Sequence, residues 1–152
     1  KGSALVDFAR SRPRAIWESS SFSCQMASLV RLGDYAYGIE GQSGARVDKA
    51  RLFCLEIKKG KKRWEKEGFG LGTVVLVKNR LVILSDGGEL VIADANHYKF
   101  QELARFQVLS GKENWTPPTY ANGRMHCRSS RGKWVCLKMG GDSTVIRNED
   151  AD

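Results

Sequence analysis

The chain has 152 residues, 41% of them hydrophobic, and a formal net charge of +8. That length can bury a substantial core within one domain, and the hydrophobic content excludes wholesale disorder. No apolar run approaches the ~18 residues of a membrane-spanning helix, so we predict no transmembrane segment. We find no signal-peptide pattern either.

Both ends of the chain are polar, and we expect residues 1–12 to be loose and residues 142–152 to be a flexible tail. Between them, the first apolar segment is Ile16-Trp17-Glu18, within residues 13–22. It ends on a large aromatic residue and a charge. We predict that it is the outer strand of a preceding or closing sheet.

Residues 23–66 contain three short apolar segments separated by polar turns. We predict strands at Ser28–Leu32, Tyr35–Gly38 and Arg51–Leu55. A longer loop, Gln42–Lys49, separates the second strand from the third.

The same pattern recurs in residues 67–110. We predict strands at Thr73–Val77, Leu81–Leu84 and Glu89–Ala93, with Gly and Asn in the turns. The segment Tyr98–Phe106 has apolar residues at helical spacing and would read alone as a short helix. The repeat instead predicts an outer strand at Leu103–Val108.

A third, incomplete copy occupies residues 111–141. Its predicted strands are Pro118–Tyr120, Arg124–Cys127 and Lys133–Leu137, and no outer strand follows. We align Tyr35 with Leu81 and Met125, and we align the third strands on Leu52, Leu90 and Trp134. This alignment makes the first copy eight residues longer at its loop, an insertion that loops tolerate.

Strand-rich repeats of about 45 residues are typical of propeller blades. We therefore predict an all-β fold in which residues 1–152 form one propeller segment. It would be a partial β-propeller of about three four-stranded antiparallel blades.

A motif in the first copy points to one family of propellers. Residues 54–64 match the spacing A-x-D-x-x-T-G-K-x-x-W, with Gly60, Lys61 and Trp64 in place. The sequence departs from this pattern at Cys54 for Ala, Glu56 for Asp and Lys59 for Thr. The chain thus resembles the PQQ-like (quinoprotein-type) β-propeller repeat.

The resemblance implies that Trp17, Gly60 and Trp64 serve blade docking, with each indole between neighbouring blades. A buried indole fills the wedge between two sheets and donates its N–H to a backbone carbonyl. Trp115 and Trp134 fall outside the family spacing. For Trp115 we favour packing over a role at the rim of a pocket.

Closed propellers have four to eight blades, so three blades leave sheet edges open. We favour the explanation that the chain is a fragment of a longer propeller. The alternative is a homodimer in which two copies close a six-bladed ring.

The positive charge is concentrated in one turn. A candidate basic patch consists of Lys58, Lys59, Lys61, Lys62 and Arg63. Solvated charge is the default for such a turn, and contact with a polyanion, acidic lipid or protein is the alternative. We predict no specific nucleic-acid binding, because no known module or interleaved exposed aromatic residues accompany the patch.

The cysteines and histidines show no metal-ligand spacing, so no metal site is predicted. Cys54 and Cys136 occupy equivalent repeat positions, which indicates small buried residues. A disulfide between Cys127 and Cys136 is left open, since they lie on adjacent strands but not directly opposite each other.

We predict a non-catalytic scaffold that binds a protein partner, or the remaining propeller blades, through its loops. The candidate binding loop is the Gln42–Lys49 insertion, with Arg46 and Asp48. The resemblance includes the outer-membrane protein assembly lipoprotein of bacteria, which implies a periplasmic or cell-envelope location.

The alternative function is part of a PQQ-dependent quinoprotein oxidoreductase. Enzymes of that family carry vicinal cysteines, a catalytic Asp and calcium ligands, and this chain has no adjacent cysteines. Its turn carboxylates, such as Asp34 and Asp86, can cap backbone N–H groups. We therefore assign no catalytic residue and expect no cofactor in this segment. PQQ and calcium would bind to blades that this chain does not contain.

Overall fold

The structure is a computed structural model that describes residues 2–9, 11–42 and 49–140. These residues form thirteen β-strands in four antiparallel sheets, and none of them belongs to an α-helix. The predicted all-β fold is confirmed. Across the described ranges, no helix is long and apolar enough to cross a membrane.

The strands follow one another in simple antiparallel order within each sheet. The N-terminal sheet contains β1 (Ser3–Asp7) and β2 (Arg14–Ser19). The first sheet contains β3 (Val30–Leu32), β4 (Tyr35–Glu40), β5 (Arg51–Glu56) and β6 (Lys61–Lys66). The second sheet contains β7 (Thr73–Val77), β8 (Arg80–Leu84), β9 (Glu89–Asp94) and β10 (Glu102–Gln107). The third sheet contains β11 (Thr119–Ala121), β12 (Arg124–Arg128) and β13 (Trp134–Lys138).

Two-residue turns join the first two strands of the first, second and third sheets. Backbone φ is positive at Gly33, Lys78 and Asn122, which begin these turns. Tight hairpins need positive φ there because it matches the right-handed twist of the flanking strands. The Gly and Asn signals in the sequence therefore mark the turns correctly.

The sheets stack face to face, and the second sheet is buried on both sides. Leu81 and Ile83 pack towards the first sheet, while Val82 and Leu84 on the same strand pack towards the third. Because both faces are covered, its strands are nearly continuous apolar runs rather than alternating ones. A smaller cluster around Phe53 packs the first sheet against the N-terminal sheet.

The cross-strand register corrects the repeat alignment by one residue. In the three sheets, the residues that open the second strand and pair across both neighbours are Tyr35, Arg80 and Arg124. Alignment of Tyr35 with Leu81 and Met125 is therefore wrong, and Ala36 is their true equivalent. Ala36 and Leu52 are 16 positions apart where Leu81 and Leu90 are 9, so the insertion has seven residues instead of eight. The error arose because Arg80 was counted as part of the turn, whereas it is the first residue of β8 and pairs with Val77 and Asp94.

The expectation of a loose N-terminus is also wrong. Residues 3–7 form β1, which pairs with β2 and places Leu5 opposite Trp17. The side chains of this segment are alternately half-buried and exposed. The half-buried Leu5 lies on the same side of the sheet as the Trp17 indole, its cross-strand neighbour on β2. The predicted outer strand at Ile16-Trp17-Glu18 thus has a partner strand of its own. The predicted tail at 142–152 lies outside the described residues.

Candidate functional site

Trp17 joins the N-terminal sheet to the first sheet. Its indole N–H donates to the Ile57 carbonyl at 2.7 Å. The ring lies directly on Gly60, where a Cβ atom would come within 2.7 Å of the indole and where φ is +64°. Gly60 therefore serves both the turn and the close approach of the ring.

We expect Gly60→Ala to reduce the free energy of unfolding by about 1–3 kcal/mol, because the added methyl group overpacks the indole contact. Gly33→Ala is the matched control. Gly33 has φ +60° but no atom within 4 Å of a built Cβ, so it carries only the backbone cost of about 1 kcal/mol. Urea denaturation of both variants measures the difference. Equal losses in the two variants would contradict the close contact.

Trp64 has the same relation to the second sheet. Its N–H donates to the Asn96 carbonyl at 2.8 Å, and its ring lies 6.0 Å from Tyr37 and 5.9 Å from Phe100 between centroids. Both tryptophans of the family spacing thus lie between consecutive sheets. In these positions they hold the sheets in a fixed relative orientation.

Asp86 holds the connection between the second and third sheets. Its Oδ1 accepts the Trp115 indole N–H at 2.7 Å and the Glu113 backbone N–H at 2.9 Å. Its backbone carbonyl accepts the Asn114 side-chain amide at 2.9 Å. Sequence reasoning treated Asp86 only as a turn residue and missed the indole bond, since nothing in the sequence shows that Trp115 returns to this turn.

The candidate basic patch is neutralised largely within its own sheet. Four of its five cations reach a carboxylate: Lys58 to Asp34, Lys59 to Glu56, Lys62 to Glu40 and Glu65, and Arg63 to Glu56. Within the described part of the chain, Lys61 has no ion pair. The charge that remains available to an external anion is therefore much smaller than the sequence suggested.

The candidate binding loop and the possible metal ligands give no site among the described residues. Arg46 and Asp48 lie outside the described residues, so the candidate binding loop stays a prediction. His97 stacks on Tyr35 with a centroid separation of 4.2 Å. In residues 2–9, 11–42 and 49–140, no group of three His, Cys, Asp or Glu side chains is placed to hold a metal ion.

All four cysteines are free thiols. Cys127 lies opposite Val135, and Cys136 lies opposite His126, so the disulfide left open is absent. Burial raises the pKa of the Cys54 and Cys127 thiols to about 11. Cys136 is only half-buried, contrary to the prediction, because its side of the third sheet has no covering sheet among the described residues.

We expect Cys136 to react first with iodoacetamide at pH 8, well before Cys54 and Cys127. A thiol whose pKa is about 11 is only about 0.1% thiolate at that pH, and the thiolate is the nucleophile. Peptide mapping by mass spectrometry after timed labelling measures the order. Equal labelling rates in the folded protein would contradict the burial.

The third sheet has two chemically different faces. Met125, Cys127 and Val135 pack against the second sheet. The strand register places alternate residues on the opposite side, which we call the outer face. The outer face consists of Thr119, Ala121, Arg124, His126, Arg128, Trp134, Cys136 and Lys138.

Trp134 lies at one end of the outer face, as the first residue of β13 and opposite Arg128. It stacks on His126 with centroids 5.4 Å apart and planes at 8°, yet its side chain is 52% exposed. The equivalent residues of the first and second sheets, Leu52 and Leu90, are 0% and 1% exposed because the next sheet covers them. The third sheet thus presents an aromatic residue where the other sheets bury an aliphatic one.

The outer face also carries cations without an ion pair. Arg124, Arg128 and Lys138 form no ion pair with any described residue, although Arg124 approaches the Cys136 sulfur at 3.8 Å. Residues 111–140 contain six Lys and Arg residues and a single acid, Glu113. The outer face therefore holds three cations without an ion pair to a described residue, whereas four of the five cations of the candidate basic patch are paired.

Four-stranded antiparallel sheets that stack face to face, with indoles between them, define a segment of a β-propeller. Among solved structures, the chain is similar to BamB from Moraxella catarrhalis, with 17% identity and a TM-score of 0.55. The match covers 81% of this chain and 34% of BamB, so the chain spans about a third of that protein's length. No family model matches the chain, and no curated protein matches it.

Proposed function

We propose that this chain is part of a non-catalytic PQQ-like β-propeller that acts as a rigid scaffold and binds a protein partner. The observation that carries the proposal is the half-exposed Trp134 on the outer face, which lies opposite Arg128 on β12. Trp and Arg are enriched in protein interfaces, and an exposed aromatic cluster on an otherwise packed sheet marks an interaction site.

The packing of the sheets supports the scaffold role. The indole bonds of Trp17 and Trp64 and the carboxylate of Asp86 each tie one sheet to the next. A surface on such a frame is preorganised, which reduces the entropy lost on binding. The resemblance to the bacterial assembly lipoprotein favours a periplasmic or cell-envelope protein, and the Gln42–Lys49 loop is a second candidate surface.

Site-specific photo-cross-linking tests the proposal even though the partner is unidentified. Benzoylphenylalanine replaces Trp134 in the whole protein, expressed in its own cells, and the control places it at Tyr98. Tyr98 is 77% exposed and lies on the connection before β10, away from the outer face. We expect an adduct of higher mass with a second protein from position 134 and none from position 98.

Two results would overturn the proposal. Cross-links from position 134 only to other blades of the same polypeptide would show that the outer face is an internal blade contact. An adduct of twice the protein's mass would identify a second copy of the chain, as the homodimer hypothesis requires, instead of a different protein.

A further inference from the structure

The connection between β9 and β10 is longer than its counterpart in the first sheet. Residues 95–101 join β9 to β10, whereas residues 57–60 join β5 to β6, so the second sheet has seven residues there instead of four. The Asn96 side chain shapes the longer connection. Its Oδ1 accepts the backbone N–H of Tyr98 at 2.7 Å and that of Lys99 at 3.4 Å. The additional residues therefore form an ordered turn that presents His97 and Tyr98.

This turn packs against the first sheet, and the two sheets concerned both have all four strands. Trp64 on β6 donates to the Asn96 carbonyl at 2.8 Å. Tyr35 on β4 stacks on His97, with ring centroids 4.2 Å apart and planes at 5°. Trp17 covers the corresponding turn of the first sheet from the N-terminal sheet in the same way. Each such turn is thus covered by the sheet that precedes it, so the exposure of residues 95–101 does not depend on the third sheet.

Three aromatic rings form a continuous stack at this end of the sheets. His97 contacts Tyr35 and also Tyr98, whose ring centroid lies 3.9 Å from that of His97. Tyr35 and His97 are half-buried, whereas Tyr98 is 77% exposed. Most of the ring surface that remains free therefore belongs to Tyr98. A tyrosine ring offers a broad apolar face with a polar hydroxyl at its end.

Lysines without an ion pair lie beside the stack. Lys99 directly follows Tyr98, and Lys78 lies in the turn before β8, where the Asn79 carbonyl accepts the Ala95 backbone N–H at 3.0 Å. Both lysines are exposed, and neither forms an ion pair with a described residue.

The acids at this end of the first and second sheets are already paired. The pairs are Asp34 with Lys58, Glu56 with Lys59 and Arg63, Asp94 with Arg80, and Glu102 with Arg105. Each carboxylate is thus balanced by a cation of its own sheet. The charge that remains around the aromatic stack is positive, which favours an anionic ligand.

We infer that this turn binds an acidic polysaccharide, a chain of sugars that each carry a carboxylate. One sugar ring packs on Tyr98, and the carboxylates of neighbouring sugars contact Lys78 and Lys99. The C–H groups of a pyranose ring form an apolar surface that suits the free tyrosine face, and ammonium groups bind carboxylates through charge-assisted hydrogen bonds. This site is separate from the outer face and goes beyond the proposed function.

A sugar chain fits this surface better than a single-stranded nucleic acid or an acidic peptide. Non-specific nucleic-acid sites stack successive bases on separate aromatic rings, whereas here Tyr35 and His97 stack on each other. A run of acidic side chains would pair with the lysines but would leave the Tyr98 ring exposed to water.

Four probes of six units each test the inference by calorimetry on the full chain. They are hexagalacturonate, maltohexaose, hexaglutamate and hexathymidylate. We expect hexagalacturonate to bind and the other three to bind at least about fivefold more weakly. Maltohexaose has sugar rings without charge, hexaglutamate has charge without rings, and hexathymidylate requires several separate ring faces. Added salt should weaken the binding of hexagalacturonate, because the lysines are exposed.

Variants of one tyrosine test the ring contact. Tyr98→Ala should weaken hexagalacturonate at least about fivefold, whereas Tyr98→Phe should stay within about twofold of the parent chain because it keeps the ring. Tyr120→Ala is the matched control, since Tyr120 is also exposed, at 41%, but lies on β11 of the third sheet. Its affinity for the probe should be unchanged.

Two variants with the same change of charge test the lysine contact. Lys99→Glu should weaken hexagalacturonate at least about fivefold. Lys112→Glu is the matched control, because Lys112 is also exposed and has no ion pair within the described residues, but lies on the connection that follows β10 at its other end. Each variant lowers the net charge of +8 by two, so general attraction would affect both equally.

Several results would overturn the inference. Absence of hexagalacturonate binding, or equal binding by Tyr98→Ala and the parent chain, would refute it. An equal loss in Lys99→Glu and Lys112→Glu would show that the attraction is not localised. Tighter binding of hexathymidylate or of hexaglutamate than of hexagalacturonate would identify a nucleic-acid or an acidic protein surface instead. The cross-link from position 134 tests the proposed function independently of these results.

Discussion

Replacement of Trp64 by Ala should reduce the free energy of unfolding by about 3–5 kcal/mol. The substitution removes the indole that lies between Tyr37 and Phe100 and deletes the bond to the Asn96 carbonyl. It leaves a cavity between the first and second sheets that β-sheet backbones cannot close without a change in register. Urea denaturation followed by circular dichroism measures the loss.

Trp134→Ala is the control for this substitution. It also removes a tryptophan side chain from a β-strand, but Trp134 is half-exposed and contacts His126 rather than a neighbouring sheet. We expect a loss of less than about 1 kcal/mol, as for substitutions away from the core. A loss as large as that of Trp64→Ala would mean that another element covers the outer face, and would contradict its proposed availability to a partner.

Gly88→Ala should destabilise the chain by about 3 kcal/mol. Gly88 has φ +85°, and a Cβ atom there would overlap the Leu109 carbonyl oxygen and lie 2.8 Å from its carbon. The Gly88 carbonyl also accepts the backbone N–H groups of Val108 and Leu109 at 3.0 Å. The methyl group therefore collides with backbone that is tied to the glycine itself, which adds about 1–3 kcal/mol of overpacking to the left-handed backbone cost.

The adjacent Gly87 provides the control for Gly88. A Cβ atom at Gly87 would meet only the Ser85 hydroxyl at 3.9 Å, and its φ lies outside the left-handed region. Gly87→Ala should change the free energy of unfolding by less than about 1 kcal/mol, because its main effect is to restrict the unfolded chain. Thermal denaturation of the two variants, compared with the parent, measures the contrast. Similar melting temperatures for both would show that the turn is not packed against Leu109.

The two largest effects concern the contacts between blades, and the binding proposal depends on them. If Trp64 and Gly88 hold the sheets at fixed angles, the outer face keeps one arrangement of Trp134, Arg128 and Lys138 before any partner arrives. A surface that is ordered in advance binds with less entropic cost than one that must be assembled. We therefore expect variants that loosen the contacts between sheets to weaken binding of the proposed protein partner as well.

Much of the strand pattern follows from local sequence. We could assign the strand Thr73–Val77, its turn and the strand that follows from the sequence. Their β-branched and apolar residues favour strands, and the short turn between them favours a hairpin. The outer strand β10 could be assigned only through the repeat, since its own spacing favoured a helix. The repeat alignment placed Tyr35 one residue out of register, and it missed β1. Both depend on which strand a segment pairs with, which the local composition does not show.

The sequence by itself determined the all-β class, the repeat, most strands and the two indoles of the family spacing, because each depends on residues close together along the chain. Only the tertiary structure decided that the Lys58–Arg63 cations are largely paired and that Asp86 binds Trp115. It also decided that the three cations of the outer face have no ion pair with any described residue. These features depend on which distant residues meet across a turn or a sheet. Local periodicity determines which side of a strand a residue occupies, whereas what covers that side is determined by the packing of the whole fold.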